Sequence, residues 1–222
     1  MIWFLPVLAY LLGSISFAWI AGRMKGIELR EHGSKNLGAT NAGRVLGKRW
    51  FFIVFALDVG KGLLAVLVAK LAAAHHVADV AAPGEALRAE IFLIAMAVAV
   101  VLGHVFTCFH GFKGGKAVAT SLGVLIALMP TVAAIAFVAW LAVWLLGWAV
   151  FRLPKATAVG PASVVAAIVA PSAHLLRAAD AWGSDLPRTI FILLLGLLVV
   201  VKHRANLAKL FSGAPPAVGP TP

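Results

Sequence analysis

The residues best suited to bind an anion are concentrated in one segment, from His32 to Arg44. These thirteen residues include three glycines, two hydroxyl side chains, two amides and the guanidinium of Arg44. Glycine lets backbone N–H groups turn toward an anion, and Ser, Thr, Asn and Arg add donors of their own. The segment therefore predicts a phosphate-binding site built from Gly33, Ser34, Asn36, Gly38, Thr40, Asn41 and Arg44. A solvated, glycine-rich connector is the alternative, but a connector does not need so many hydrogen-bonding side chains.

A second segment of this kind, 111–116, reads Gly-Phe-Lys-Gly-Gly-Lys and precedes a predicted helix start. Backbone N–H groups and the positive end of the helix dipole favour an anion there. The predicted binding residues are Lys113, Gly114, Gly115, Lys116 and Thr120. The segment is not a Walker A loop, because Ala117 stands where that motif requires Ser or Thr. A basic anchor at the lipid headgroups would explain the lysines but not the glycines.

The third candidate element is the pair His203 and Asn206, near the end of the last apolar run. Residues three apart share one face of a helix. A histidine there can orient or deprotonate a substrate hydroxyl, while the amide holds the substrate. A histidine in a basic segment beside a membrane is, taken alone, more often a headgroup contact.

Two ionisable residues, Asp58 and Lys61, lie inside an apolar run and are three residues apart. Such groups are costly in a membrane and are usually paired or functional. Their spacing allows a mutual ion pair, so a structural and a catalytic role both stay open. Cys108 is the single cysteine, and neither it nor the nearby His104 and His110 has a carboxylate beside it. The sequence therefore predicts no disulfide, no metal site and no cofactor.

The elements that must position these residues are predicted to be membrane-spanning helices. The chain of 222 residues is 62% hydrophobic and 12% charged, with a mean hydropathy of +1.00. Its apolar runs are continuous and do not alternate with polar residues, which favours helices over a barrel. A net charge of +11 would suggest nucleic acid for a soluble protein. Beside membrane spans it is better explained as topology charge, so no nucleic-acid partner is expected.

The apolar runs predict an all-α polytopic membrane protein with seven transmembrane helices, some of them short. Their approximate ranges are 2–22, 50–74, 91–110, 117–129, 130–150, 161–173 and 189–201. The apolar stretch 117–150 is too long for one span of about 20 residues, and Pro130 offers the break. Residues 1–212 are predicted to form one transmembrane domain, followed by a disordered Pro/Gly-rich tail at 213–222.

The basic residues are distributed unevenly between the predicted loops. With seven crossings, 14 of the 19 Lys and Arg residues lie on one side, in 23–49, 111–116, 152–160 and the C-terminal segment. The opposite loops hold three arginines and five acidic residues. The positive-inside rule then places the N-terminus outside and the C-terminus in the cytoplasm. The predicted phosphate-binding face is therefore cytoplasmic.

Taken together and in this order, these segments resemble the bacterial acyl-phosphate:glycerol-3-phosphate acyltransferase (PlsY) family. The matching pieces are Leu12–Ser16, Gly33–Arg44, Asp58 with Lys61–Gly62, Gly103–His104, Phe112–Thr120 and His203–Asn206. The resemblance runs from Leu12 to about Gly213, and several motifs in register are far more specific than one. The chain departs from the family pattern at Lys35 and Leu37, which replace a glycine and a proline, and at Ala117, which replaces a glycine.

The resemblance implies transfer of a fatty acyl group from acyl phosphate to the sn-1 hydroxyl of glycerol 3-phosphate. The products would be lysophosphatidic acid and phosphate, at the start of phospholipid synthesis in the bacterial inner membrane, with neither metal nor cofactor. The expected partners are the two substrates, membrane lipids and the enzyme that supplies acyl phosphate. The family active-site positions correspond to Ser34, Thr40, Arg44, Lys116, His203 and Asn206, and Ser163 is the candidate for an expected serine.

The resemblance also suggests how these residues divide the work. Arg44 and Lys116 would neutralise phosphate charge, Ser34 and Thr40 would orient phosphate oxygens, and the pair 203 and 206 would hold the glycerol end.

Two other classes of function are alternatives to acyl transfer. A transporter of an organic phosphate needs polar groups near the midplane of several spans, and the spans hold almost none beyond Asp58 and Lys61. A non-catalytic membrane scaffold would not need the ordered glycines, hydroxyls and cations.

Overall fold

The computed structural model describes residues 2–76 and 84–211, and over these ranges the chain is helical, without strands. The helical class is therefore confirmed. The predicted tail at 213–222 lies outside the described residues. The nine α-helices of the described ranges are α1 Leu5–Ser14, α2 Phe17–Met24, α3 Ala39–Leu46, α4 Lys48–His76, α5 Glu85–Val105, α6 Val118–Leu128, α7 Pro130–Ala149, α8 Lys155–Arg177 and α9 Leu186–Phe211.

Six helical stretches in the described ranges are long and apolar enough to cross a membrane. They are α1 with α2, α4, α5 continued to His110, α7, α8 and α9. The remaining apolar helix, α6, has 11 residues, which corresponds to about 16 Å at 1.5 Å per residue. The predicted break at Pro130 is confirmed, because α6 ends at Leu128 and α7 begins at Pro130.

The predicted first span is found as Leu5–Met24, although its helix is broken, whereas the predicted loop at 152–160 was wrong. The first span is interrupted at Ile15, where Ser16 caps a new helix by accepting a hydrogen bond from the Trp19 N–H at 3.2 Å. Serine is a strong N-cap residue, so the chain restarts a helix there. The predicted loop 152–160 is largely helical, since α8 begins at Lys155 and continues through two prolines. Proline is tolerated in membrane helices when neighbouring groups satisfy the backbone.

Helices α1 and α5 approach each other through glycine. A Cβ atom on Gly13 would overlap the Val100 carbonyl, and one on Gly103 would overlap the Tyr10 carbonyl. Such contacts let membrane helices pack backbone to backbone. The Thr107 hydroxyl donates to the Ser14 carbonyl at 2.7 Å beside this crossing. The end of α1 is therefore held firmly against the end of α5.

Helices α4 and α6 cross in the same way. A Cβ atom on Gly62 would overlap the Thr120 carbonyl, and one on Gly123 would overlap the Val59 carbonyl. Further along, the Lys70 ammonium donates to the Ala127 carbonyl at 2.6 Å, close to the end of α6. The two helices run side by side in the same direction. The segments that precede them, which contain the predicted anion-binding residues, consequently lie at the same end of the bundle.

Replacing Gly62 by alanine is expected to destabilise the protein by about 1–3 kcal/mol, because an overpacked contact with backbone cannot be relieved by a rotamer change. Gly60 is the matched control, since it lies on the same helix and a Cβ atom there would meet nothing within 4 Å. Gly60→Ala should leave the thermal unfolding midpoint in detergent unchanged or raise it slightly. Equal midpoints for the two variants would contradict this account of the crossing.

Candidate active site

A cavity of about 350 Å³ gathers predicted site residues from four separate segments of the chain. The predicted residues among its lining are Ser34, Asn36, Gly38, Thr40, Asn41, Arg44, Lys116, Ser163, His203 and Asn206. The structure therefore brings together ten of the residues predicted from the sequence. The five others, which do not line the cavity, are Gly33, Lys113, Gly114, Gly115 and Thr120.

The first loop is organised around the buried amide of Asn41, which is 1% exposed. Its oxygen accepts a hydrogen bond from the Ser34 N–H at 2.7 Å, and its nitrogen donates to the carbonyls of Leu29 at 3.0 Å and His32 at 3.1 Å. Gly33 has a φ of +60°, and a Cβ atom there would overlap the Asn41 amide oxygen. Gly33 and Asn41 thus shape the loop and position Ser34. The amide N–H groups of Asn41, which were predicted to bind phosphate, already donate to backbone carbonyls.

The beginning of α3 forms part of the cavity wall. Gly38 is its N-cap residue, and Gly38, Ala39 and Thr40 all line the cavity. The first N–H groups of a helix have no intrahelical acceptor, and the helix dipole makes this end positive. An anion in the cavity is therefore stabilised by backbone groups as well as by side chains.

Arg44 lies one turn further along α3 and is half-buried. Over the described ranges it has no carboxylate within ion-pair distance. Burial lowers the pKa of its guanidinium from the ordinary value, but arginine keeps its charge in proteins. A half-buried cation without a carboxylate in the wall of a cavity is arranged to receive an anion.

Lys116 and Asn206 meet across the cavity, since the Lys116 ammonium donates to the Asn206 side-chain oxygen. Gly160 of α8 makes room for Asn206, because a Cβ atom there would lie 3.1 Å from the amide nitrogen. The second cation is therefore tied to the last turns of α9.

His203 is 3% exposed, and its Nδ1 lies 2.8 Å from the Val199 carbonyl. A carbonyl only accepts, so Nδ1 carries the hydrogen of the neutral ring and Nε2 keeps a lone pair. This arrangement fixes the tautomer and leaves Nε2 as the acceptor of the ring.

Ser163 also lines the cavity, but its hydroxyl is used in packing. It donates to the Val159 carbonyl at 2.8 Å and accepts from the Trp140 indole at 3.2 Å. The bond to a carbonyl four residues earlier is common for serine in a helix. Ser163 holds α7 against α8 beside the cavity.

The second predicted loop binds protein groups with its glycine N–H donors. The Gly114 N–H donates to the Val105 carbonyl at 3.1 Å, and the Gly115 N–H donates to the His104 carbonyl at 3.0 Å. Neither glycine has space for a side chain, because each would collide with His104. Packing against α5 thus explains why these two residues are glycine. The sequence pattern had predicted that they bind an anion. Lys113 is exposed, and Thr120 is buried against α4.

The apolar part of the cavity was not predicted from the sequence. Aromatic side chains of α4 and α7 line one part of it, and small and aliphatic side chains of α8 and α9 line another. These residues are Phe51, Phe52, Phe55, Phe137, Trp140, Ala166, Ala167, Ala170, Ile192, Leu195, Gly196 and Val199. Their only sequence signal is a helical spacing that any membrane helix shows. Asp58 and His104, noted in the sequence without an assigned role, also line the cavity.

Fold and site together define an integral membrane protein with one cavity that is cationic in one part and apolar in the other. The family model described as glycerol-3-phosphate acyltransferase matches residues 3–213. The chain belongs to the glycerol-3-phosphate acyltransferase family, whose members are membrane-embedded acyltransferases of phospholipid synthesis.

Individual relatives agree with this assignment. The glycerol-3-phosphate acyltransferase of Aquifex aeolicus is 36% identical over 211 residues, covering 95% of both chains. The crystal structure of PlsY (YgiH), an integral membrane glycerol 3-phosphate acyltransferase, in its glycerol 3-phosphate form matches with a TM-score of 0.76 at 36% identity. That match covers 95% of this chain and 92% of the other. The lysophosphatidic acid form of PlsY matches with a TM-score of 0.73 at 34% identity and the same coverage.

A Gly33→Ala variant is expected to lose glycerol 3-phosphate acylation by about tenfold or more, because the methyl group displaces the amide that presents Ser34. The matched control is Gly26→Ala, since Gly26 has a similar φ of +68° but nothing within 4 Å of a Cβ atom. Both variants carry the strain of a left-handed alanine, about 1 kcal/mol. The initial rate of acylation should therefore fall in the first variant only, and a parallel fall in both would refute the role of the collision.

Proposed function

We propose that the protein transfers a fatty acyl group from acyl phosphate to the sn-1 hydroxyl of glycerol 3-phosphate, releasing lysophosphatidic acid and inorganic phosphate. The observation that carries this proposal is that one and the same cavity has a cationic part and an apolar part. An acyl phosphate has the same two parts. The solved relative in glycerol 3-phosphate and lysophosphatidic acid forms supports the acceptor and the product.

The cationic part suits the phosphate groups of the substrates. Arg44 and Lys116 line it, and the beginning of α3 adds backbone donors. We assign charge neutralisation to the two cations, and orientation of phosphate oxygens to Ser34 and Thr40. Charge-assisted hydrogen bonds of this kind are about twice as strong as neutral ones.

The reaction needs positioning more than chemical activation, because an acyl phosphate is a mixed anhydride. The hydroxyl oxygen of glycerol 3-phosphate forms a bond to the acyl carbon, and the bond from that carbon to the phosphate oxygen breaks. The electron pair leaves with the phosphate. The hydroxyl proton goes either to His203 Nε2 or to a phosphate oxygen, and both routes balance. The side-chain cations of Arg44 and Lys116 stabilise the departing charge.

His203 and Asn206 are assigned to the glycerol end of the acceptor. Both lie on the last turns of α9 and line the cavity, with the Asn206 amide fixed to Lys116. A group assigned to the hydroxyl therefore lies beside a cation assigned to phosphate. Glycerol 3-phosphate, the proposed acceptor, carries both a hydroxyl and a phosphate.

The apolar part suits the acyl chain. Along α9 it extends from His203 to Ile192, a rise of about 16 Å at 1.5 Å per residue. Ile192, Leu195 and Ala170 line the end far from His203, and they are 1%, 6% and 6% exposed. We assign the far end of the acyl chain to these buried residues.

We further propose seven crossings, with α6 as a short one, the N-terminus outside and the cavity mouth at the cytoplasmic face of the bacterial inner membrane. The support is the meeting of four basic segments around one cavity together with their charge excess. The positive-inside rule assigns such an excess to the cytoplasm. In this orientation a water-soluble acceptor reaches the site from the cytoplasm, where an enzyme supplying acyl phosphate would also act.

The decisive experiment mixes purified protein with synthetic palmitoyl phosphate and measures released phosphate and lysophosphatidic acid, with and without glycerol 3-phosphate. Both products should form together and only when the acceptor is present. Replacing Arg44 by alanine should lower kcat/KM about 10- to 100-fold, as the loss of a charge-assisted bond implies. Arg49→Ala is the matched control, since Arg49 is exposed at the start of α4.

Two results would overturn the proposal. One is phosphate release that does not depend on glycerol 3-phosphate. The other is uptake of glycerol 3-phosphate into proteoliposomes without acylation, which would indicate a transporter. Unchanged kinetics in Arg44→Ala would remove only the role given to that residue.

Substitution of Ala170 by leucine is expected to narrow the range of acyl donors. The larger side chain takes up space at the end far from His203, so palmitoyl phosphate should react about tenfold more slowly, given about 0.8 kcal/mol for each methylene group left unburied. Octanoyl phosphate should react at the normal rate. Ala142→Leu is the control, because Ala142 is exposed on α7 outside the cavity lining. An equal loss with both donors would place the acyl chain elsewhere.

A further inference from the structure

Three ionisable side chains are buried together where α4 meets α5. Asp58, Lys61 and His104 are 2%, 3% and 7% exposed. The Lys61 ammonium donates to the carbonyls of Gly13 at 3.0 Å and Ile15 at 2.9 Å, and it lies 2.9 Å from Asp58 Oδ1. An ammonium has three donors, so these contacts satisfy it. Lys61 is thereby committed to joining α4 to the break between α1 and α2.

The carboxylate of Asp58 continues this contact toward the cavity. Asp58 Oδ1 lies 3.5 Å from His104 Nδ1, and both side chains are part of the cavity wall. A buried carboxylate needs such partners, because an isolated charge in a membrane protein is costly. The Asp58 carboxylate therefore faces the His104 ring from another helix.

On its other side, His104 supports the loop that ends at Lys116. Its carbonyl accepts the Gly115 N–H at 3.0 Å, and its ring fills the position that a Gly115 side chain would take. Lys116 is the next residue, and its ammonium donates to Asn206. The place of the Lys116 backbone is consequently set by contact with the His104 ring and carbonyl.

The backbone around Lys116 is also strained, which makes this support necessary. Phe112 and Ala117 have φ angles of +59° and +61°, a region that residues with side chains rarely occupy. Such conformations persist only where surrounding contacts impose them. The contacts of Gly114 and Gly115 with the end of α5 impose such a constraint directly before Lys116.

We propose that Asp58 and His104 are positioning residues that hold Lys116 in place for acyl transfer. Lys61 anchors Asp58, Asp58 orients His104, and His104 seats Gly115 and the residue after it. This inference rests on the function proposed above for Lys116. It gives a role to Asp58 and His104, neither of which binds phosphate in the proposed function.

A double-mutant cycle tests the inference. His104→Ala should lower kcat/KM for glycerol 3-phosphate about 10- to 100-fold, because small displacements of a catalytic cation have large effects on rate. In a Lys116→Ala background the same change should alter the rate by no more than about twofold, since there is no longer a cation to position. Where turnover is below detection, the same cycle is measured through the affinity for glycerol 3-phosphate. That affinity is obtained from the shift in the unfolding midpoint when glycerol 3-phosphate is added.

His174→Ala is the matched control for loss of a buried histidine. His174 is 6% exposed and bonds Thr189 at 2.9 Å, at the junction of α8 and α9 and outside the cavity lining. It should lower the unfolding midpoint as His104→Ala does, while leaving kcat/KM within about twofold of the starting protein in both backgrounds. If His104→Ala does not fold, Asp58→Asn takes its place in the cycle, because it keeps the side-chain volume.

The outcomes distinguish failure of the positioning role from failure of the proposed function. Equal losses from His104→Ala in the presence and absence of Lys116 would overturn the positioning role, and so would normal kinetics in His104→Ala and Asp58→Asn. Absence of acyl transfer in the unmodified protein would instead refute the proposed function. Normal kinetics in Lys116→Ala would refute the role of that lysine.

Discussion

Direct contact between helix backbones is the constraint on which the rest of the structure depends. At Gly13, Gly62, Gly103 and Gly123 the neighbouring carbonyl occupies the space of a side chain. Such close approach fixes helix positions to within a fraction of a side-chain radius. The buried charges of α4 and α5 and the loop before α6 all lie next to these crossings, so their geometry is inherited from them. A membrane protein cannot rely on the hydrophobic effect for this, since lipid tails are as apolar as leucine.

The cavity uses this rigidity to combine two environments that attract different parts of one molecule. Its cations are contributed by elements far apart in the chain, and its apolar part is lined by α4, α6, α7, α8 and α9. The polar groups are placed in advance by bonds to protein, as with the amide of Asn41 and the ring of His203. Preorganisation of this kind avoids reorganising the groups during the reaction. Because Arg44 is half-buried, the electrostatic free energy of the site is lower with an anion bound than without one.

Sequence reasoning identified the cavity residues better than it identified their individual contacts. Ser34, Arg44, Lys116 and the pair on α9 stood out because charge and hydrogen-bonding groups are rare in so apolar a chain. The glycines at 114 and 115 pack against the end of α5, and a glycine needed for backbone contact looks the same in sequence as one needed for an anion. Only the partner, here the end of α5, distinguishes the two.

The helical class and the break at Pro130 also followed from local chemistry, through apolar length and proline geometry. The restart of the first span at Ser16 did not, because a serine inside an apolar run is compatible with a continuous helix. The length of α8 was missed for the opposite reason. Its polar first residues and two prolines suggest a loop, but packing against α7 and α9 stabilises the helix through them. Tertiary contacts therefore decided what local preference left ambiguous.

The interruption between α1 and α2 has a consequence for the order of assembly. Its open carbonyls at Gly13 and Ile15 are acceptors for the ammonium of Lys61. Since α1 is synthesised before α4, these acceptors are already in the bilayer when the charged helix arrives. The helix pair synthesised first thus supplies the carbonyl acceptors for the cation that the second span buries.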